Sequence, residues 1–115
     1  KFFISSMWGN INGYKDYNIA HTHGNSVISG VYYLKTPPNC GRVCFYNPAH
    51  EGIDYLWEYC IKKFTIQNSS SWKIDVEDGD LLLFPSWLKH AVEPNLNKKE
   101  HRMSLAFNIS IANVK

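Results

Sequence analysis

The sequence has no large excess of charge of either sign. Its formal net charge at pH 7 is +2, and its twelve lysine and arginine residues are scattered, with short pairs only at 62–63 and 98–99. Proteins that bind nucleic acids usually gather basic residues on one face or along one helix. The sequence therefore gives no clear nucleic-acid patch, although aromatic residues make up 15% of the chain.

Long apolar runs and cysteine pairs are also missing. No run approaches the roughly 20 apolar residues that a membrane-spanning helix needs, so we expect no membrane insertion. The three cysteines, Cys40, Cys44 and Cys60, form no CxxC pair, and their odd number argues against a disulfide framework. We expect three free thiols and a cytoplasmic location.

The residues that are present indicate a small globular β protein. Hydrophobic residues make up 44% of the 115-residue chain, which suits one domain with one modest core. We expect this domain to span residues 1–115, with an N-terminal part that is trimmed or minimal, because the chain opens on Lys rather than Met. Short β-branched and aromatic runs bounded by turn residues predict strands at 26–34, 42–46, 72–76, 81–84, 89–94 and 101–112.

Two stretches give a weaker pattern. Residues 1–20 are rich in Gly, Asn and aromatic residues and predict an irregular segment with at most one short strand. Residues 53–67 combine a helical spacing of apolar residues, including Trp57, with the strand-like run KKFTIQ, which leaves helix and strand both open. The whole pattern favours an all-β sandwich or barrel with few or no helices.

Two histidines stand two residues apart in the stretch HTHGNS. Side chains at positions i and i+2 of a strand project from the same face, so His21 and His23 can reach one metal ion. His90 follows the apolar segment GDLLLFPSWL, which places it where a buried strand ends, at the mouth of a barrel. His50 and His101 lie in loop-like contexts and are expected at the surface.

Three nitrogen ligands on one side of an ion leave its other coordination positions open. Open positions are typical of a non-haem iron site that binds O2 and a co-substrate, whereas a closed structural zinc site needs four ligands. The cysteines are not spaced to supply a fourth ligand. The pattern therefore favours a catalytic metal site made of His21, His23 and His90.

The last strand-like segment, HRMSLAFNISI, alternates cleanly between polar and apolar residues. Its polar face consists of Arg102, Ser104, Ala106, Asn108 and Ser110. Small and amide residues are unusual on a solvent-exposed strand, so we expect this face to line a cavity. Arg102 is then a lone guanidinium in the cavity, and its planar fork matches a carboxylate, with Ser104 able to add a hydrogen bond.

Four ordered segments resemble the Fe(II)/2-oxoglutarate-dependent oxygenases, and most closely a branch known mainly from marine bacteria and phages. They are YNIAHTHGNSVISGVYYLKTP, GRVCFYNP, GDLLLFPSWLKHAVEPN and HRMSLAFNIS, and they cover most of the chain from Tyr17 to Ser110. The resemblance implies a double-stranded β-helix, or jelly roll, with Fe(II) at the three histidines, 2-oxoglutarate as co-substrate and O2 as oxidant. It also implies hydroxylation of an unidentified substrate with decarboxylation of 2-oxoglutarate to succinate, in the host cytoplasm if the protein is phage-encoded.

The same resemblance implies roles for individual residues. It places Arg102 and Ser104 at the distal carboxylate of 2-oxoglutarate, assisted by Tyr33 or Tyr32 on the strand after the first motif. One departure from the family pattern concerns the metal ligands, which are usually His, carboxylate and His. His23 occupies the carboxylate position, which leaves the site one unit more positive.

Two rival functions are kept beside this one. The segment GDLLLFPSWLKH also resembles the second motif of the cupins, so a three-histidine cupin dioxygenase is an alternative, although Val27 and Ile28 stand where the first cupin motif needs a glutamate. The other rival is a non-catalytic β-barrel that binds a ligand or a partner and whose metal site is decayed or structural. Metal content separates the barrel from both enzymes, and dependence on 2-oxoglutarate separates the two enzymes.

The substrate is not readable from the sequence and can be a small molecule or a macromolecule. No oligomeric state is predicted. An aromatic and amide-rich set of residues near the N-terminus is a candidate lining for the substrate entrance: Trp8, Asn10, Tyr14 and Tyr17.

Overall fold

The computed structural model, which describes residues 1–56 and 58–112, is almost entirely β. Its elements in chain order are β1 (Phe2–Asn12), β2 (Asn18–His21), β3 (Ile28–Lys35), β4 (Val43–Tyr46), α1 (His50–Leu56), a 3-10 turn (Glu58–Cys60), β5 (Ser71–Ile74), β6 (Leu81–Pro85), β7 (His90–Val92) and β8 (Arg102–Ile111). This confirms the predicted all-β class with few helices.

The strands form two antiparallel four-stranded sheets. The first, which we call the major sheet, has the order β1-β8-β3-β6, and the second, the minor sheet, has the order β2-β7-β4-β5. The chain passes back and forth between the sheets, so strands that are neighbours in a sheet are mostly distant in sequence. This arrangement is the predicted double-stranded β-helix.

The register of the major sheet arranges residues in rows across its inner face. Directly paired residues of antiparallel strands point to the same side of the sheet, so each row follows from the pairing. The rows, starting from the first residue of β8, are Asn12–Arg102, Asn10–Ser104–Tyr33, Trp8–Ala106–Val31 and Ser6–Asn108–Ser29. Successive rows are about 6.8 Å apart, because an antiparallel strand rises ~3.4 Å per residue.

The hydrophobic core between the two sheets is small. Its buried members are Tyr33, Val43, Phe45 and Phe84, and the rings of Phe45 and Phe84 meet edge to face with their centroids 5.0 Å apart. Much of the remaining interior is lined by polar side chains of β8: Arg102, Ser104 and Asn108 are all buried. The predicted inward polar face of the last strand is therefore present.

Residues 1–20 do not form the predicted irregular segment. Eleven of them make up β1, which pairs with β8 along most of its length, with a register shift between Ile4 and Ser6. β1 is an edge strand, and most of its side chains are exposed on both faces. Its sequence therefore lacks the polar–apolar alternation of a half-buried strand. The extended conformation of this segment depends on its pairing with β8.

The ambiguous stretch 53–67 begins as a helix and continues as turns. α1 ends at Leu56, and residues 61–67 contain no strand, so the strand interpretation of KKFTIQ is wrong. The side chain of Asn68 organises this loop, because it accepts a hydrogen bond from the Thr65 N–H at 2.6 Å and donates one to the Lys63 carbonyl at 3.0 Å. Trp57 lies outside the described residues.

Two further expectations concern the chain as a whole. In the part of the chain that the structure describes, no helix is both long enough and apolar enough to cross a membrane. The extent of the single domain, residues 1–115, stays a prediction.

Candidate metal and co-substrate site

Pairing of β2 with β7 brings the three predicted histidines together. His21 is the last residue of β2 and pairs directly with His90, the first residue of β7. His23 follows β2, and its backbone N–H donates to the carbonyl oxygen of Ser86 at 3.0 Å. One ligand nitrogen from each imidazole lies within 4.8 Å of the other two. The cluster therefore has the size of a metal-binding site.

Backbone carbonyls decide which ring nitrogen carries the proton in two of these histidines. Nδ1 of His21 lies 2.6 Å from the carbonyl oxygen of Ile19, and Nδ1 of His90 lies 2.9 Å from that of Leu88. A carbonyl oxygen only accepts hydrogen bonds, so both Nδ1 atoms donate. Each Nε2 then keeps its lone pair for a metal, and the second hydrogen bond fixes the ring as in known metal sites.

His23 presents its Nε2 to that of His90 at 3.3 Å. Two ring nitrogens bound side by side to one metal at ~2.1 Å each are separated by about 3 Å, so the observed spacing is close to that of two adjacent ligands. Two facing lone pairs repel each other unless a cation or a proton lies between them. The donor set and its spacing therefore fit a divalent metal ion.

Burial lowers the pKa of two of these imidazoles, His90 and His23, and favours their neutral form. Desolvation lowers the pKa of His90 to about 4, a shift that the hydrogen bond to Leu88 opposes and the neighbouring His21 and His23 reinforce. Desolvation, followed by the proximity of His21, also lowers the pKa of His23. A neutral imidazole is the form that binds a metal, so the site is ready for a cation at neutral pH.

A cavity of about 540 Å³ connects the histidines with Arg102 inside the barrel. Among the described residues that line it, Arg102 is the only one with a permanently charged side chain, and none carries a carboxylate. Trp8 marks the metal side of the cavity, since its ring centroid lies 5.9 Å from that of His23. The Arg102 row is two rows away from the Trp8 row, about 14 Å along the strands.

Arg102 is buried, and one of its two terminal guanidinium nitrogens has no hydrogen-bond partner among the described residues. The residue is 1% exposed, and its Nη1 donates to the backbone carbonyl oxygens of Cys40 and Glu93. Nη2 is buried and has no hydrogen-bond partner in the described part of the chain. Burial lowers the pKa of Arg102, but an arginine stays charged. A buried, unpaired donor of this kind calls for an anion.

Ser104 and Tyr33 lie together one row closer to the metal than Arg102. Both line the cavity, and Tyr33 is 2% exposed, so burial raises the pKa of its hydroxyl and keeps it protonated. Tyr32 pairs with Leu105 on the outer face of the sheet and is 38% exposed. Of the two predicted tyrosines only Tyr33 faces the cavity, and Tyr32 points to the other side of the sheet, because successive strand residues point to opposite sides.

A buried polar network next to the His23 loop escaped the sequence analysis. The Ser29 hydroxyl lies 2.9 Å from that of Ser86 and donates to the Asn108 Oδ1 at 2.7 Å. Ser86 also accepts the hydrogen bond from the His23 backbone, and its own N–H donates to the Val27 carbonyl. Of its members only Asn108 was predicted to face the interior, and the sequence offers no signal for Ser86 beyond its position after Pro85.

Three of the four candidates for the substrate entrance line the cavity. Trp8, Asn10 and Tyr17 contribute to its wall, whereas Tyr14 does not. Tyr14 is 44% exposed, and its ring lies near the ammonium groups of Lys15 and Lys98. The two remaining histidines lie outside the cluster, with His50 half-buried at the start of α1 and His101 exposed.

A jelly-roll barrel that brings three clustered imidazoles and a buried arginine to one cavity has the ligands that suit a non-haem metal ion and an anion beside it. A family model described as "Putative 2OG-Fe(II) oxygenase" matches residues 6–108. The chain belongs to this family. The family agrees with the predicted iron and 2-oxoglutarate, and the marine bacterial or phage origin stays a prediction.

Solved structures of low sequence identity share the fold. An oxidoreductase of the 2OG-Fe(II) oxygenase family from Burkholderia pseudomallei has a TM-score of 0.71 and 14% identity over 96% of this chain and 45% of its own. A Pseudomonas putida prolyl-4-hydroxylase has a TM-score of 0.63 and 15% identity over 91% and 52%. HygX from Streptomyces hygroscopicus, with nickel and 2-oxoglutarate bound, has a TM-score of 0.64 and 12% identity over 95% and 57%.

This chain therefore spans about half the length of the solved proteins that it matches. At 12–15% identity the likeness concerns the fold and not the reaction. No curated protein matches the chain.

Proposed function

We propose that the protein is an Fe(II)- and 2-oxoglutarate-dependent dioxygenase. His21, His23 and His90 hold the iron, and Arg102, Ser104 and Tyr33 bind the distal carboxylate of 2-oxoglutarate. The observation that carries the proposal is the unpartnered Nη2 of buried Arg102, which shares one cavity with the three ring nitrogens. A metal-chelating dicarboxylate is the kind of ligand that joins the two features.

When bound, the iron supplies O2 activation at its open coordination positions. The overall reaction balances as substrate C–H, O2 and 2-oxoglutarate giving substrate C–OH, succinate and CO2. The chain's own residues orient the reactants. The carbonyls of Ile19 and Leu88 fix the rings of His21 and His90. The buried side chains of Tyr33 and Arg102 offer a neutral and a positive donor to the carboxylate.

The third imidazole changes the charge of the site. Three neutral histidines leave a divalent metal at +2, and Arg102 adds one positive charge, while the described cavity lining has no carboxylate. The two negative charges of 2-oxoglutarate offset most of this excess. A site with three histidine ligands therefore favours a dianionic co-substrate more strongly than a site in which one metal ligand is a carboxylate.

A three-histidine cupin dioxygenase is the second candidate, and the ligand set itself favours it. A cupin dioxygenase, however, leaves the unpartnered guanidinium nitrogen of Arg102 without a function, whereas in the proposed oxygenase the distal carboxylate of 2-oxoglutarate is its hydrogen-bond acceptor. A non-catalytic metal- or ligand-binding barrel leaves the open face of the metal unused. Both alternatives therefore explain fewer features of the cavity than the 2-oxoglutarate-dependent oxygenase does.

The biological setting is part of the proposal. The substrate is an unidentified small molecule or macromolecule that enters beside Trp8 and Tyr17. A cytoplasmic location, in a phage host if the protein is phage-encoded, is supported by three free cysteines, of which Cys40 and Cys44 are buried.

Anaerobic titration with Fe(II), with and without 2-oxoglutarate, tests the proposal. We expect a visible metal-to-ligand charge-transfer band that develops only when both are present, with one metal per chain. Iron binding without a response to 2-oxoglutarate favours the three-histidine cupin or a barrel with a structural metal. A protein that binds no metal is the non-catalytic barrel.

A further inference from the structure

Arg102 has only part of its guanidinium available for a carboxylate. Its Nη1 is held by the carbonyl oxygens of Cys40 and Glu93, so among its terminal nitrogens only Nη2 lacks a partner. A carboxylate has two oxygens and about four lone-pair positions. A co-substrate carboxylate at Arg102 therefore needs donors from other residues.

The row next to Arg102 contains such donors on three adjacent strands. Ser104 of β8 pairs with Tyr33 of β3 on one side and with Asn10 of β1 on the other. Side chains of directly paired residues have Cβ atoms about 4.5–5.5 Å apart, so all three reach the same part of the cavity. The family resemblance implies that Ser104 and Tyr33 bind the distal carboxylate of 2-oxoglutarate. It assigns no such role to Asn10, which the sequence suggests only as a lining of the substrate entrance.

The amide of Asn10 is available for a ligand. Asn10 is half-buried and lines the cavity. The Asn108 amide on the same face donates to the Ser6 hydroxyl at 3.0 Å, but the Asn10 amide has no hydrogen-bond partner among the described residues. An amide nitrogen offers two donors and no charge, which suits a carboxylate beside a guanidinium.

The position of Asn10 along the strand separates it from the substrate side. Trp8, one row closer to the histidines, has its ring 5.9 Å from that of His23. Asn10 lies one row beyond Trp8, at the level of Ser104 and one row from Arg102. The substrate must approach the metal, so the Trp8 row suits it better, and the Asn10 row suits the far end of the co-substrate.

We propose that Asn10 is a co-substrate-binding residue, whose side-chain amide donates a hydrogen bond to the distal carboxylate of 2-oxoglutarate together with Ser104, Tyr33 and the Nη2 of Arg102. This assignment rests on the proposed function. It gives the edge strand β1 a binding role that the family resemblance does not assign.

Calorimetric titration of the metal-loaded protein with 2-oxoglutarate tests the assignment. Asn10→Ala removes the donor and weakens binding about 10-fold or more, as for a hydrogen bond to a charged group. Asn10→Asp places a like charge beside the carboxylate and weakens binding at least about 100-fold. The matched control is Ile11→Asp, which adds the same charge to the next residue on the outer face, where Ile11 is 66% exposed; it leaves the affinity within about 2-fold.

A second ligand shows which end of the co-substrate Asn10 contacts. The monoacid 2-oxobutanoate keeps the metal-chelating group but lacks the distal carboxylate. Asn10→Ala and the parent protein therefore bind it equally, while metal stoichiometry and the thermal midpoint report that each variant is folded.

The outcomes separate the two proposals. A parent protein that shows no affinity for 2-oxoglutarate overturns the proposed function and this assignment with it. A parent that binds 2-oxoglutarate, with Asn10→Asp binding it equally well, overturns only the role of Asn10. Equal weakening of 2-oxoglutarate and 2-oxobutanoate by Asn10→Ala also overturns it, because it places Asn10 at the metal end.

Discussion

At the scale of single residues, His90 has the properties that a metal ligand needs. It is 6% exposed, its Nδ1 is fixed by the Leu88 carbonyl, and burial lowers its pKa to about 4. A protonated imidazole cannot bind a metal, so a lowered pKa extends metal binding to more acidic solutions. The Leu88 carbonyl therefore orients the ligand, while burial, against the opposing effect of that hydrogen bond, keeps the ring unprotonated.

Removal of this ligand is expected to empty the site. We predict that His90→Ala loses stoichiometric Fe(II) or Zn(II), because two imidazoles alone do not hold a divalent ion tightly. Metal analysis after dialysis checks the prediction. His101→Ala, which removes an exposed histidine outside the cluster, is the control and keeps one metal per chain; full metal occupancy in His90→Ala contradicts the site.

Arg102 decides between the oxygenase and its rivals. We predict that Arg102→Met keeps the metal and weakens 2-oxoglutarate binding by about 30-fold or more, the usual result of removing one partner of a desolvated charge pair. Arg102→Lys recovers only part of the affinity, since an ammonium lacks the planar fork that also reaches the Cys40 and Glu93 carbonyls. Calorimetry on the metal-loaded variants measures both effects.

The control for this prediction is the same substitution at the other arginine. Arg42 binds Glu93 through Nε and Nη2 at 2.9 and 3.0 Å and does not line the cavity that holds the histidines. Arg42→Met is therefore expected to leave the 2-oxoglutarate affinity unchanged. An equal loss in both variants would mean that Arg102 acts through stability rather than contact.

At the scale of elements, Glu93 ties the end of β7 to the strands around it. Its carboxylate accepts hydrogen bonds from the backbone and guanidinium of Arg42, next to β4, and pairs with the ammonium of Lys73 on β5 at 3.1 Å. Its backbone carbonyl accepts from Arg102 of β8. Glu93 thus joins the minor sheet to Arg102, the residue that we propose binds the co-substrate.

This ion pair predicts a specific pH dependence of stability. The Arg42 guanidinium is the main cause that lowers the pKa of Glu93 to about 2, from an ordinary value of 4.5. Between these values the unfolded chain binds a proton that the folded chain does not, so the contribution of Glu93 is full above pH 4.5 and is lost as the pH falls towards 2.

We predict that Glu93→Gln lowers the free energy of unfolding at pH 7, and that its difference from the parent shrinks as the pH falls from 4.5 to 2. Denaturant titrations at several pH values measure this difference. Because Glu93 is partly exposed, the effect is modest and is weakened by salt. A difference that grows on acidification contradicts the assignment.

At the scale of the whole molecule, the outer face of the major sheet is apolar and exposed. Residues that pair across this face include Phe2 with Ile111, Met7 with Phe107 and Leu81 with Tyr32. More than half of the side-chain surface is exposed in several of its members: Phe2, Ile4, Met7, Ile11, Leu81, Leu83 and Ile111. A contiguous apolar surface of this kind promotes association and aggregation of the isolated chain.

Neighbouring leucines on β6 provide a matched test of this surface. Leu83 pairs with Gly30 on the outer face and is 58% exposed, whereas Leu82 pairs with Val31 and packs against the core. We predict that Leu83→Lys reduces binding of a hydrophobic dye and changes the free energy of unfolding by no more than about 0.5 kcal/mol. Leu82→Lys, which buries a charge, is expected to cost more than about 2 kcal/mol. Equal destabilisation by both contradicts the assignment of faces.

The sequence by itself determined the features that depend on local periodicity. The two-residue spacing of His21 and His23 and the alternation along β8 follow from the geometry of an extended chain, in which every second side chain shares a face. The position of His90 after an apolar strand also followed, because it depends on its immediate neighbours. These patterns predicted an all-β sandwich or barrel and the three histidines that cluster in the structure, whereas the jelly roll itself was implied by the resemblance to the oxygenase family.

Tertiary structure decided the features that depend on pairing between distant segments. The sequence of β1 lacks polar–apolar alternation because β1 is an exposed edge strand. Its strand conformation depends on pairing with β8, about a hundred residues away. Tyr33 and Tyr32 were indistinguishable until the register of β3 fixed their faces. Long-range contacts also leave one terminal nitrogen of Arg102 without a partner in the described part of the chain and place Asn10 opposite Ser104. Local chemistry specifies which face a side chain takes along a strand, but only the register specifies what it meets across the sheet.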